Sequence, residues 1–422
     1  MLATLRNRDF ALLWTAGLIS VAGDYALIIA LPLHAYALTG SAAATGGVFA
    51  AALIPRVLLG SVAGVFVDRW DRKRTMVAAD LLRAALVLPL LLVVSSDLLW
   101  LLYLVRAMTG TLGLFFQPAE AALLPRLVGE ERLVSANALN ALNDNLGRLV
   151  GPAVGGLLYA TGGLATVVVV DAATFAVSGA LILAMRTNAR PDRDGVVTAD
   201  SMWRRMTGEW VAGLRYVGGN RALGTIFLAF GIGFVGEGTF SGGFTPLVVD
   251  VLRGGAEGAG ILSSAQAIGG LLAGVVIARV ALIVPPRVLF AGGLIGLGLT
   301  DLGLANAATL APPGAGAVMV GSAFMLLAGV PIVVGFAAGN GLLQTLTVDA
   351  FRGRVFGALG AVQGLATLAG LGIGGVAIDA IGVVPVLSFG AAMWIAAGAI
   401  ALLRLPSHAA TVSFTESDAG TR

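Results

Sequence analysis

Few side chains in this sequence carry charge, and several of them stand where a charge is costly. Asp24 and Glu237 interrupt long apolar runs, as do Arg56, Arg83, Arg106 and Arg148. A carboxylate in apolar surroundings favours its protonated form, and a nearby cation opposes that preference. An acid that pairs alternately with a cation would therefore load and release a proton. Binding of a cationic substrate, or a permanent structural pair, would place an acid there equally well. Asp144 and Arg148 are four residues apart, so on a helix they share a face and are expected to neutralise each other. Other chemistry is poorly provided for. The chain has no cysteine, and its two histidines, His34 and His408, are far apart. Thiol catalysis, disulfides and a histidine metal cluster are excluded. No nucleophile and base stand together, so the chain does not read as an enzyme, and no cofactor is implied. The only lysine, Lys73, is followed by Arg74 and makes no phosphate-binding G-x-x-x-x-G-K-[ST] loop.

The elements that must hold these groups are membrane spans. Of 422 residues 58% are hydrophobic, 12% are charged and 60 are glycine, with a mean hydropathy of +0.93. A soluble domain of this size cannot bury that much apolar surface, and a spanning helix needs about 20 apolar residues. The apolar runs predict twelve spans: 10–37, 43–66, 75–94, 98–117, 138–160, 164–185, 222–247, 258–280, 287–306, 315–340, 356–379 and 384–404. The first run is too long for the roughly 7–15-residue core of a signal peptide and is read as a retained helix. Asp24 and Glu237 then lie at similar depth in spans 1 and 7. Arg106 lies about eight residues, roughly 12 Å by helix rise, from the outer end of span 4. Such a charge costs roughly 2.5–3.5 kcal/mol even on the lenient insertion scale, so each is expected to face a cavity or a partner.

Basic residues accumulate on the cytoplasmic side of membrane proteins. With the N-terminus inside, 21 of the 26 basic residues fall in inner segments and one, Arg253, falls in an outer loop. Both termini are accordingly expected in the cytoplasm. The predicted organisation is a six-helix bundle over 1–187, a linker over 188–220, a second six-helix bundle over 221–405 and a tail over 406–422. Within the linker, Trp203, Met206, Trp210, Leu214 and Val217 repeat at helical spacing with Arg204, Arg205 and Arg215 beside them. That pattern suits a helix in the inner headgroup region or one packed on the bundle.

The two halves resemble each other. Gly23-Asp24 matches Gly236-Glu237, Gly64 matches Gly274, and Gly155-Gly156 matches Gly374-Gly375. Six spans separate each pair, so the repeats run parallel, which places a substrate site between the halves near the midplane.

The loop after span 2 reads Gly64-Val-Phe-Val-Asp68-Arg69-Trp70-Asp71-Arg72-Lys73-Arg74, and span 5 reads Gly147-Arg-Leu-Val-Gly151-Pro152-Ala-Val-Gly155-Gly156. The first is similar to the signature G-x-x-x-D-R-x-G-R-R/K of the major facilitator superfamily, with Asp71 in place of its glycine. The second resembles that family's antiporter motif G-x-x-x-G-P-x-x-G-G, which is associated with export. Arg106 with Gly110 partly matches the span-4 motif, whose arginine is proposed to assist proton transfer. Gln117-Pro118-Ala119-Glu120 through Pro125, with Ser135-Ala136-Asn137-Ala138-Leu139, is similar to the branch of macrolide efflux proteins and enterobactin exporters.

The resemblance implies an all-α integral membrane fold of two pseudo-symmetric six-helix bundles. It implies a transporter that alternates access to one mainly apolar cavity, with Asp24, Glu237 and Arg106 as its polar points. Gly64, Asp68, Arg69, Arg72 and Arg74 would form a cytoplasmic latch, with Asp68 against the N-terminus of span 11. The expected partners are a small-molecule substrate, protons and membrane lipids, without nucleic acid, and the chain is expected to act as a monomer. The leading expectation is proton-coupled export of lipophilic or amphipathic small molecules, in the plasma membrane and specifically a bacterial inner membrane. Its rivals are uptake of a polar metabolite and a transport-inactive sensor or scaffold.

Overall fold

The computed structural model describes residues 4–67, 70–187 and 199–406, and among these it is helical throughout, with no strand. In chain order the helices are α1 (Arg8–Thr39), α2 (Ala42–Val67), α3 (Arg72–Val87), α4 (Leu99–Val128), α5 (Leu133–Leu183), α6 (Ala199–Gly218) and α7 (Arg221–Pro246). They continue with α8 (Gly255–Val280), α9 (Pro286–Ala305), the short α10 (Ala307–Leu310), α11 (Ala315–Leu346), α12 (Asp349–Ile381) and α13 (Val383–Arg404). Among the described residues ten helical segments are long and apolar enough to cross a membrane. One of them, Glu130–Leu183, runs for 54 residues, roughly 80 Å at the helical rise and far more than a bilayer needs. It turns back at Gly163 (φ 66°, ψ −166°) and so supplies two spans. Glycine adopts that backbone without a Cβ clash. The twelfth span is α8, 26 residues long.

Several helices outrun their predicted spans. α4 continues to Val128, α5 begins at Leu133, α11 continues to Leu346 and α12 begins at Asp349. Apolar runs mark only the part of a helix that lipid surrounds, and these helices project beyond it at the end of the bundle that carries residues 4 and 406. The segment Pro118–Pro125, which the sequence leaves outside a span, lies within α4. After Val87 the third span tightens to a 3₁₀ turn over Leu88–Leu92, where Pro89 lacks the N–H that would continue an α-helix.

Apolar side chains point outward as well as inward. Leu58, Leu272, Met319, Ile373 and Leu403 are more than half exposed, as lipid-facing positions should be. Inside the first half, Phe10, Met76, Leu123 and Ile182 form one buried cluster and Leu31, Leu102, Val167 and Phe175 another. In the second half Phe230, Phe290 and Trp394 centre the core. α6 lies against the start of α12: Gly213 abuts the Arg354 carbonyl, Tyr216 stacks on Phe351 at 4.6 Å, and Val217 is buried. Its Val211 and Leu214 remain exposed. Trp203, Met206, Arg204 and Arg205 lie outside the residues whose side chains are described.

The loop between α2 and α3 shows why this sequence departs from the signature. Asp71 Oδ1 accepts the Arg74 backbone N–H at 2.9 Å and caps α3. A side-chain cap supplies one of the acceptors that the first turn lacks. Arg72 donates to the Ala122 carbonyl at 3.0 Å and Lys73 to the Met185 carbonyl at 2.5 Å, tying the start of α3 to α4 and to the end of α5. Asp68 and Arg69 lie outside the described residues, and Gly64 falls in the last turn of α2.

Candidate functional site

The residues singled out in the sequence divide between two cavities, rather than lining one as expected. The larger, of about 650 Å³, lies between the halves and reaches into the second. The first half gives it Ile28 and Pro32 from α1, Phe49 from α2 and Arg148 from α5. Phe234, Glu237, Phe240 and Phe244 come from α7, Gln266 from α8, Asp301 from α9 and Phe336 from α11. Most of the wall is apolar and five of its side chains are phenylalanines. Glu237 Oε1 accepts a hydrogen bond from Ser241 Oγ at 3.3 Å. Asp301 is 6% exposed, and Arg148 is the lining cation.

The second cavity, of about 450 Å³, belongs wholly to the first half and is the more polar of the two. Asp24 lines it from α1, Arg56 from α2, Arg83 from α3, Arg106 and Glu120 from α4, and Asn140, Asn143 and Asp144 from α5. Asp24 lies one helical turn before Ile28, so α1 carries the polar cavity and then the apolar one along its length. Arg106 is within electrostatic reach of Asp24 and Asp171, but the cation that approaches Asp24 is Arg83, at 3.9 Å. Glu120 accepts a hydrogen bond from Asn140 at 2.9 Å. Asp144 faces this polar cavity and Arg148 the central one, and no contact within ion-pair distance joins them. Four-residue spacing keeps the two within electrostatic reach of each other without a direct contact.

Arg83, Asp80, Asp171 and Asp301 enter the sites without having been singled out for a role. Asp80 and Arg83 carried a readable signal, because opposite charges three residues apart inside an apolar run point to a buried pair. Asp171 and Asp301 stand alone in their spans, and only packing reveals what they face.

The halves meet at the end opposite the termini. There Asp379, near the end of α12, accepts the Ala42 backbone N–H at 2.8 Å and the Ser41 hydroxyl at 2.6 Å, at the N-terminus of α2. Tyr36 donates to Asp250. Deeper in, Ser264 of α8 donates to the Leu149 carbonyl of α5 at 2.6 Å. The span-5 motif explains the close fit. A Cβ on Gly147, Gly151 or Gly155 would lie within 2.5 Å of α1, at Val21, Tyr25 or Ala26 respectively. A Cβ on Gly156 would lie 2.4 Å from the Ala256 carbonyl of α8, and Gly260 approaches the Pro152 carbonyl equally closely. α5 is thus wedged between α1 and α8, one backbone touching two others, as small residues permit in membranes. Among the described residues no hydrogen bond joins the halves at the end that carries the termini.

Comparison with known proteins agrees with this architecture. The chain is 29% identical over 386 residues to the multidrug efflux pump Tap of Mycolicibacterium fortuitum, covering 87% of this chain and 88% of Tap. It is 28% identical over 224 residues to macrolide efflux protein A of Streptococcus pyogenes, covering 52% of this chain and 55% of that protein. With the uncharacterised MFS-type transporter YfiS of Bacillus subtilis (strain 168) it shares 30% identity over 172 residues, 40% of each chain. In the last two cases the match thus spans about half or less of the relative's length. Among solved structures, a bacterial homologue of the iron transporter ferroportin in an inward-facing state superposes with a TM-score of 0.73 at 17% identity, over 94% of this chain and 98% of that one. The nucleoside transporter NupG (D323A mutant) gives 0.75 at 13% identity, over 94% of this chain and all of that one. These two likenesses show the fold. The family model described as Major Facilitator Superfamily matches residues 13–371, so the twelve-span chain with its two cavities belongs to that superfamily of membrane transporters.

Proposed function

We propose that this transporter exports lipophilic or amphipathic small molecules in exchange for protons. The observation that carries the reading is the central cavity: about 650 Å³, walled by five phenylalanines and carrying only Glu237, Asp301 and Arg148 as charged points. A mainly apolar pocket with a few fixed polar groups takes drug-sized amphipathic ligands and orients them. A polar metabolite needs a denser set of donors and acceptors than this wall supplies. The names of Tap and macrolide efflux protein A support export, as does the complete span-5 motif.

Protons are assigned to the polar cavity of the first half, with Asp24 as the exchanging acid and Arg106 among its cations. Glu237 is assigned to substrate, with a proton as its alternative occupant. The end carrying the termini is assigned to the cytoplasm, so the sealed opposite end corresponds to an inward-facing state. The bundles 1–187 and 221–405 would rock as units about the central cavity, as a monomer in a bacterial inner membrane. In the outward-facing state Asp68 and its neighbours Arg69, Arg72 and Arg74 would latch the cytoplasmic end.

The test is efflux from proteoliposomes under an imposed pH gradient, over a panel of lipophilic dyes and a macrolide, comparing wild type with Asp24→Asn and Glu237→Gln. The reading expects gradient-driven flux that Asp24→Asn uncouples while exchange persists, and weakened substrate binding in Glu237→Gln. Flux that ignores the gradient in the wild type would refute proton coupling.

A further inference from the structure

Arg83 is placed between two acids and bound closely to neither. Its Nη1 lies 3.9 Å from Asp24 Oδ2 and 3.8 Å from Asp80 Oδ1. Charge-assisted hydrogen bonds run to about 2.7–2.9 Å, so both contacts are a full ångström long. The guanidinium is held instead by aromatic rings, with its carbon 5.2 Å from the Phe175 centroid and 5.9 Å from that of Phe116. Gly113 leaves it room, since a Cβ there would lie 2.3 Å from Nη2. The two acids differ in access. Asp80 is fully buried; its Oδ2 accepts the Ser178 hydroxyl at 2.6 Å, and its Oδ1, facing Arg83, has no hydrogen-bond partner. Asp24 is 35% exposed and opens on the polar cavity.

We propose that Arg83 is a counter-cation shared by Asp24 and Asp80, and that Asp80 thereby sets the pH at which Asp24 takes up and releases its proton. The proposal rests on the reading that Asp24 exchanges a proton. When Asp24 gains a proton from cavity water it stops attracting Arg83, which closes on the vacant Asp80 Oδ1. When Asp24 returns the proton to water, Arg83 moves back, and Ser178 continues to hold the charge of Asp80. The buried guanidinium is never left without an anion; with Asp24 ionised, Asp80 keeps only the Ser178 hydroxyl, and that excess negative charge favours the return of a proton to Asp24.

Other charges face Asp24 in both states: Arg56 from α2, Arg106 and Glu120 from α4, and Asp144 and Asp171 from α5. Glu237 on α7 and Arg148 on α5 face the central cavity. Neutralising Asp80 leaves all of these in place and changes two things, how Arg83 divides itself and the like charge that Asp80 itself presents to Asp24. Asp80 and Arg83 are therefore positioning residues, and Asp24 is the group that carries the proton.

The test is an infrared titration of the full-length protein in liposomes without substrate. Wild type minus Asp24→Asn isolates the Asp24 carboxyl band. Asp80→Asn minus the Asp80→Asn/Asp24→Asn double variant isolates the same band without Asp80. The expected result is a midpoint lower by about one pH unit, a tenfold weaker proton affinity, because Asp24 then has Arg83 to itself and has lost a like charge. Arg83→Lys is expected to move the midpoint up instead, because a single ammonium does not reach toward two acids as a guanidinium fork does. It carries the test alone if Asp80→Asn does not fold. A titrating Asp24 band that stays put in these variants overturns this proposal and leaves proton exchange at Asp24 standing. Absence of a titrating Asp24 band in the wild type overturns that underlying reading, and this proposal with it.

Discussion

Replacing Asp379 should open the sealed end of the molecule. Its carboxylate spans the two halves through the Ser41 hydroxyl at 2.6 Å and the Ala42 N–H at 2.8 Å, where the first turn of α2 presents unpaired donors. A hydrogen bond to a charged group contributes about 1.5–3 kcal/mol, and an anion at a helix N-terminus about 0.3–1 kcal/mol. Asp379 is exposed, so solvent screens both terms and the low end applies. A net loss of about 1.5 kcal/mol in Asp379→Ala shifts the ratio of closed to open states at that end roughly tenfold. Asp379→Asn keeps one acceptor and should shift it about half as far on the free-energy scale, again from the low end of these ranges. The cysteine-free sequence makes the measurement direct. Spin labels at Thr161→Cys and Thr309→Cys, exposed positions on opposite halves, report the distance across this end by electron–electron double resonance. The population at long distance should grow in the order wild type, Asn, Ala, and high salt should narrow the difference between wild type and Asn. Identical distance distributions in all three proteins would refute the reasoning.

Other outcomes follow from the packing. Gly156→Val pushes a side chain into the Ala256 carbonyl, so the halves should fail to seal and gradient-driven flux should fall at least tenfold in protein that stays monodisperse on size exclusion. Gly233 abuts Trp394, which is 1% exposed, and a Cβ would lie 2.1 Å from the ring; Gly233→Ala should cost about 1–3 kcal/mol and lower the unfolding temperature in a thermal-shift assay. Asp71→Ala removes the α3 cap and should cost about 1 kcal/mol, whereas Asp71→Gly should cost only a few tenths, read by the same assay. Phe336→Ala should weaken binding of a lipophilic dye roughly tenfold, as expected for a lost aromatic wall contact, while Asp24→Asn leaves that affinity nearly unchanged because Asp24 lines the other cavity.

The fold was readable because apolar runs report what lipid surrounds, and the span count and the parallel repeat follow from them. The ends of α4, α11 and α12 were not, since a helix that leaves the bilayer turns polar without ceasing to be a helix. The span-5 motif announced close packing, and Gly147, Gly151 and Gly155 against α1 meet that expectation in form. That Gly156 turns to a different partner, α8, depends on a single residue step around the helix and on where the second half sits. Charges in the spans marked candidates but not their company. Sequence depth put Asp24 and Glu237 at corresponding levels, and the family resemblance implied one shared cavity. Depth says nothing of azimuth, and the structure opens Asp24 toward α3 and α4 while Glu237 faces α9 and α11.

The turn at Gly163 joins two spans through one residue, without a loop. Spans that share so short a hinge cannot slide past each other along their axes, so the fifth and sixth act as one lever. Its first arm is gripped by α1 and α8, and its second carries Asp171, Phe175 and Ser178 beside the charges of the polar cavity. Displacement of the second half against α5 would therefore be delivered mechanically to the side chains around Arg83, on the far arm of the hinge, without any signal having to pass through the substrate.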